Sequence, residues 1–155
     1  MIGKQTKGTS FSGCVCYVLR EDKSKLLEAV GVEGTPEQMA ELFELQTLLN
    51  DKVKNTIGHT SLNFSPEDGE RLHHDDALML QIARDYMVKI GIVNTQYIVT
   101  RHTDREHLHC HIVFNRVDND GKTISDKNDR YRNEKVCKML TARYRLHFAE
   151  GKEHV

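Results

Sequence analysis

The chain has 155 residues, 22 Lys and Arg against 23 Asp and Glu, 38% hydrophobic and 29% charged residues. That length suits one domain with its own core, and that composition excludes a disordered chain. No run approaches the ~18 apolar residues of a membrane span, the opening Met1-Ile2-Gly3-Lys4 lacks an apolar leader, and Cys14, Cys16, Cys110 and Cys137 form no Cys-x-x-Cys pair, so a reducing, cytoplasmic setting is expected.

Residues 1–7 read as a short strand with Ile2 buried. Ser10 is an N-cap candidate for a helix over Phe11 to about Glu21, whose apolar residues Phe11, Cys14, Val15, Val18 and Leu19 recur at helical spacing. Tyr17 falls at the edge of that stripe, where its hydroxyl can face a cleft. Thr35 and Pro36 open an amphipathic helix over 36–53, with Met39, Leu42, Phe43, Leu45, Leu48 and Leu49 on its apolar side. From His59 to Phe64 the residues alternate, with Leu62 and Phe64 on one face and Ser61, Asn63 and Ser65 on the other. Ser65-Pro66-Glu67-Asp68 starts a helix that runs to about Ile90, where Gly91 stops it. Strands are predicted over 95–100 and 107–117, then a turn at Asn119-Asp120-Gly121-Lys122. A last helix opens at Ser125 or Asp126 and carries Val136, Cys137, Leu140, Tyr144 and Phe148. The class is α+β: a central antiparallel sheet packed by helices, forming a single domain over 1–155.

Chemistry concentrates in the second of those late strands. Alternate residues of a strand share a face, so His107, His109, His111 and Asn115 point one way while Leu108, Cys110, Ile112 and Phe114 point into the core. A hairpin brings His102 back beside this strand. If it lies opposite His109, then His102, His109 and His111 converge as three neutral imidazoles, a donor set that leaves positions open for a substrate oxygen. Asp104 is placed to orient one of those rings, and Asn115 to bond phosphate or a neighbouring side chain.

The order His102, Asp104, His109, His111, Asn115 resembles the third motif of the relaxases, the DNA-nicking enzymes of plasmid mobilisation in the HUH endonuclease superfamily, at the spacing of the P-type mobilisation group. Met1-Ile2-Gly3-Lys4 with Tyr17-Val18-Leu19 resembles their first motif, which holds the nucleophile. Leu62-Asn63-Phe64-Ser65-Pro66-Glu67 resembles their second, in which a serine helps bind DNA. The resemblance spans about residues 1–148. It implies a nicking domain, usually part of a longer protein, with Tyr17 as nucleophile and Asp104 as a catalytic partner. It further implies a divalent ion (Mg²⁺ or Mn²⁺, with Zn²⁺ as the alternative) on the three histidines. The partners implied are single-stranded and hairpin DNA at a transfer origin, together with accessory mobilisation proteins. Water, Asp104 or His107 would take the phenol proton.

Ser65 and Asn115 are candidate DNA contacts. So are basic residues of the two ends of the chain, Lys4, Lys7, Arg20, Lys23, Arg130, Arg132 and Lys135. Two other readings use the same strand. His107-Leu-His109-Cys-His111-Ile-Val fits the histidine-triad pattern of nucleotide hydrolases and transferases, with His109 attacking phosphate, but leaves His102, Asp104 and Tyr17 unexplained. A non-catalytic, zinc-stabilised DNA-binding module would need a fourth ligand, which Asp104 or His107 could supply.

Overall fold

The computed structural model describes residues 1–20, 23–104 and 107–148, with the backbone alone at Asp104 and His107. Among these residues the elements are β1 (Ile2–Gly8), α1 (Phe11–Val18), β2 (Ser24–Val30), α2 (Pro36–Thr47), β3 (Ile57–Phe64), α3 (Pro66–His73), α4 (Asp76–Ile90), β4 (Tyr97–Asp104), β5 (His107–Asn115) and α5 (Asp129–Arg143). The strands form one antiparallel sheet in the order β1-β3-β5-β4-β2. The class is α+β as expected, and the histidine strand β5 lies at the centre.

Residues paired across antiparallel strands share a face, so the register sorts the sheet into two sides. One carries Leu62 and Phe64 of β3 with Cys110, Ile112 and Phe114 of β5. These pack with Leu72 of α3, Met79, Ile82, Ala83 and Tyr86 of α4, and Val136 and Leu140 of α5. The other carries Ile57, Val113 and Ile98 under Phe11, Val15 and Val18 of α1 and Phe43 of α2. On that second side His59 shares the row of Val113 and Ile98, and the next rows are Ser61, His111 and Thr100, then Asn63, His109 and His102. The face therefore changes from apolar to imidazole within one row.

Local signals explain the helix starts. Ser10 caps α1 by accepting from Gly13 N–H at 3.4 Å. Thr35 and Gln38 form a reciprocal capping box on α2, at 3.1 and 2.8 Å. Gly91 ends α4 in the left-handed conformation (φ 96°).

Several expectations are corrected. Ile2 is exposed, and the buried residue at this end is Met1, whose amino group donates to Thr141. The strand β2 had no sequence signal, because it is an edge strand with a register shift between Leu26 and Glu28 and no clean alternation. Helix α2 stops at Thr47, its buried residues end at Phe43, and Leu45, Leu48 and Leu49 are exposed (64, 77 and 59%) and not part of the core. The expected helix from 66 to 90 is two helices. Arg101 of β4 donates to the carbonyls of Leu72 and His73 at the end of α3 and pairs with Asp76 at the start of α4, while Asp75 caps α4. The last helix begins at Asp129 rather than 125 or 126, and Phe148 is half exposed. The expected end of the first helix at Glu21 lies outside the described residues.

Gly58 faces Phe114 across the β3–β5 pair, and a Cβ there would sit 2.0 Å from the ring. Gly58→Ala is expected to cost about 1–3 kcal/mol through overpacking, read as a lower urea midpoint. Gly8→Ala, where a Cβ meets nothing within 4 Å, is the matched control and should be near neutral.

Candidate metal and nucleophile site

His102 does stand opposite His109 in the β4–β5 register, and His111 stands opposite Thr100 on β4 and Ser61 on β3. The three rings share one face, with centroids 4.9 Å apart for His102–His111, 6.1 Å for His109–His111 and 6.4 Å for His102–His109. Helix α1 brings Tyr17 over them from its last turn. The Tyr17 ring lies 6.1 Å from both His102 and His111, is 47% exposed, and has the Arg20 guanidinium 5.3 Å from its centroid.

Strand β3 contacts the β5 histidines from the other side. The amide nitrogen of Asn63 faces the Ile2 carbonyl and both oxygens of Ser61 at 3.1–3.2 Å. Its amide oxygen is thereby turned toward His109 Nδ1, where it accepts a hydrogen bond. That puts the His109 proton on Nδ1 and the lone pair on Nε2. His59 Nε2 lies 2.8 Å from His111 Nδ1. The other nitrogen of His111, Nε2, is buried and has no hydrogen-bond partner among the described residues. Burial, then the charges that His59, His102 and His109 would present, push the His111 pKa down to about 3. Burial also lowers His59. His111 is therefore neutral at pH 7, as a ligand must be.

These residues fit a divalent cation. The candidate donors are three imidazoles, of which His111 is neutral and has its Nε2 buried without a hydrogen-bond partner among the described residues. Rings sharing one ion stand roughly 4.5–5.5 Å apart, given metal–nitrogen bonds near 2.0–2.1 Å, and His102–His111 already meets this. Among the described residues no three such side chains are yet gathered tightly enough to hold an ion. The discrepancy lies with His109, which would move inward by about an ångström.

Other candidates divide. Lys4 and Arg130 line one groove between the β1 edge and α5, whereas Lys7 is paired with Asp126. Ser65 occupies the N-cap of α3 without bonding the backbone; its hydroxyl donates to Asp68 at 3.2 Å. Asn115 is corrected from a phosphate contact. It is fully buried beneath α2, its Nδ2 donates to the Phe43 carbonyl and to Gln96 Oε1 at 2.9 Å, and its Oδ1 accepts from Val117 N–H. The side chains of Asp104 and His107 lie outside the described residues.

The other tyrosines are poorly suited to attack a phosphate at this site. Tyr86, Tyr97 and Tyr144 donate to Asn133, Glu28 and Asp85, and burial pushes all three phenols upward. Tyr131 is exposed on α5, across the sheet from the histidines. Sequence reasoning missed His59 and Asn63 as members of the site. Their shared parity on one strand was legible, but the pairing of that strand with β5 was not.

The family model of the MobA/VirD2-like relaxases, nuclease domain, matches residues 17–146. Among solved structures, the chain is similar to the MobM relaxase domain (MOBV; Mob_Pre) bound to 26-nt pMV158 oriT DNA. The TM-score is 0.64 at 12% identity, covering 97% of this chain and 90% of that one. No curated protein matches the sequence.

His111 takes up a proton near pH 6.5 in an unfolded chain but only near pH 3 when folded. Folding therefore excludes a proton between those values, and stability falls as the pH drops from 6.5 toward 3. This one group contributes at most about 1.4 kcal/mol per pH unit. Urea unfolding between pH 7 and 5, above the carboxylate range, should show this slope, and His111→Gln should flatten it. An unchanged slope in the variant would exclude His111 as its source.

Proposed function

The chain belongs to the MobA/VirD2-like relaxase nuclease family, and from that premise we propose that it nicks and rejoins one DNA strand at a transfer origin, with Tyr17 as nucleophile. The observation that carries the assignment is the position of the Tyr17 ring, 6.1 Å from both His102 and His111 and open to solvent on its outer side. The fold likeness to a relaxase domain bound to origin DNA supports the same reading.

The Tyr17 phenol oxygen attacks the scissile phosphorus of single-stranded DNA. A bond forms between that oxygen and the 5′ phosphate, the bond to the 3′ oxygen breaks, and the departing oxygen takes a proton and leaves as a 3′ hydroxyl. The ester is conserved, so a 3′ hydroxyl can reverse the step. A free phenol has a pKa near 10 and is largely protonated at neutral pH, so the attack needs an acceptor for the phenol proton, a role proposed for Asp104, His107 or water. His102, His109 and His111 would hold a divalent ion, Mg²⁺ or Mn²⁺ with Zn²⁺ as the alternative, which supplies positive charge to the non-bridging phosphate oxygens. Arg20, beside the Tyr17 ring, adds a fixed positive charge on the same side. Lys4 and Arg130 in their groove are proposed to track the DNA backbone, and Ser65 to contact DNA next to the end of β3. Accessory mobilisation proteins are proposed to complete the assembly at the origin.

Two measurements test this. Calorimetric titration with Mn²⁺ should show one exchangeable ion in the wild type and none in His102→Ala; equal binding by both would remove the three-histidine site. Incubation with a pool of random-sequence single-stranded oligonucleotides and Mn²⁺ should yield a covalent adduct on a denaturing gel. Tyr17→Phe should yield none, and an adduct in that variant would transfer the nucleophile elsewhere.

A further inference from the structure

Two residues of β3, four apart, each contact a different β5 histidine. Asn63 bonds His109 and His59 bonds His111. Asn63 follows from direct pairing, since it stands opposite His109. His59 is a diagonal neighbour, since it pairs with Val113 while His111 pairs with Ser61. The two rings nevertheless meet, with centroids 5.0 Å apart and the facing nitrogens 2.8 Å apart.

We propose that His59 is a positioning residue, holding His111 in the tautomer and orientation that present its Nε2 lone pair to the ion. This rests on the metal-site reading above and extends it to a residue beyond the three ligands. A neutral imidazole carries one N–H. For His111 Nε2 to be a donor to a cation, the proton must sit on Nδ1, and an acceptor must face Nδ1 to keep it there. His59 Nε2 is that acceptor, provided that the His59 proton sits on its own Nδ1. The ring of His111 has no second anchor among the described residues, because its Nε2 has no hydrogen-bond partner there. Its orientation on the sheet therefore depends on His59.

The position of His59 suits that task. It sits in the row where the face passes from the apolar patch beneath α1 and α2 to the imidazoles. The side chain is half-buried, so water competes weakly for the bond. A histidine in this role also differs from a carboxylate in chemistry. It orients the ligand without adding negative charge, so it strengthens the ligand's basicity less than a carboxylate would.

The test uses three variants of the whole chain and two readouts. Long-range ¹H–¹⁵N correlation in the metal-free protein reports which His111 nitrogen is protonated. Titration calorimetry with Mn²⁺ reports affinity. In the wild type His111 should be protonated on Nδ1. His59→Phe keeps a ring of similar size without the acceptor. It should release that tautomer preference and weaken Mn²⁺ binding roughly 10–100-fold. His59→Gln restores an acceptor oxygen and should recover both, and His59→Glu should bind at least as tightly as the wild type. If His59→Phe keeps the Nδ1 proton and wild-type affinity, the proposal is overturned. It is overturned equally if Gln and Glu lose as much affinity as Phe, since His59 would then act by shape alone. If the wild type binds no Mn²⁺, the metal-site reading fails, and the His111 tautomer in wild type and His59→Phe still decides whether His59 orients that ring.

Discussion

Strand β5 can carry its histidines on one side only because its register is pinned on both edges. A slip of one residue against β3 or β4 would turn His109 and His111 into the apolar layer of α3, α4 and α5 and bring Cys110 and Ile112 out. Three contacts oppose such a slip. At one end Asn115 ties β5 to the Phe43 carbonyl of α2 and to Gln96, and Thr95 donates to the Asn115 carbonyl at 2.6 Å. In the row beside it, the Phe114 ring lies over Gly58, where a Cβ would collide. On β4, Arg101 points away from the histidines and locks that strand to the junction of α3 and α4. None of these residues touches the candidate chemistry, yet each holds His102 opposite His109.

The same register sets the electrostatics. Four imidazoles on one face cannot all be charged, because each charge would lie beside others in a region of restricted water. Burial drives His59 toward the neutral form, and burial followed by the charges that His59, His102 and His109 would present does the same to His111. Neutral His111 leaves a buried ring nitrogen, Nε2, without a hydrogen-bond partner among the described residues, at a cost of about 1–3 kcal/mol for a polar group of this kind. A hydrogen-bond donor or a cation at that nitrogen would recover the cost. The rings are thus brought to one face by the sheet register rather than by charge pairing, and the set carries no carboxylate among its described members.

Much of the site was legible because β5 obeys a two-residue period between a core and a polar face, and because His102 and His109 are separated by a short hairpin that makes their pairing local. What stayed hidden came from distant partners. His59 and Asn63 belong to the site only through β3–β5 pairing, about fifty residues away in sequence. The break between α3 and α4 is imposed by Arg101 from a strand that follows both helices. Asn115 has the parity of a site residue, but α2 covers its end of the strand, and coverage is not written in alternation. Edge strand β2 lacks alternation since neither its bulge nor its exposed Leu26 and Val30 follow a two-sided pattern. The leucines past Phe43 continue a helical stripe beyond the point where the sheet stops, so periodicity gave their side of the helix but not the extent of the core.

The role proposed for Tyr17 sets two requirements on a nucleophile for a polymeric substrate, and its place in the fold meets both. The oxygen must be reachable by a long DNA strand, so the residue cannot be enclosed. It must also be held in one direction, so the residue cannot sit on a free loop. Helix α1 is only eight residues, too short to be stable alone. Its rigidity is borrowed from burial of Phe11, Val15 and Val18 and from the stack of Phe11 on Phe43, with centroids 4.7 Å apart. Those residues occupy the apolar half of the sheet face. Tyr17, one residue before the last buried position, then emerges where that half ends and the imidazoles begin. The boundary between apolar and histidine rows therefore fixes where the helix can be anchored and, with it, where the phenol is delivered.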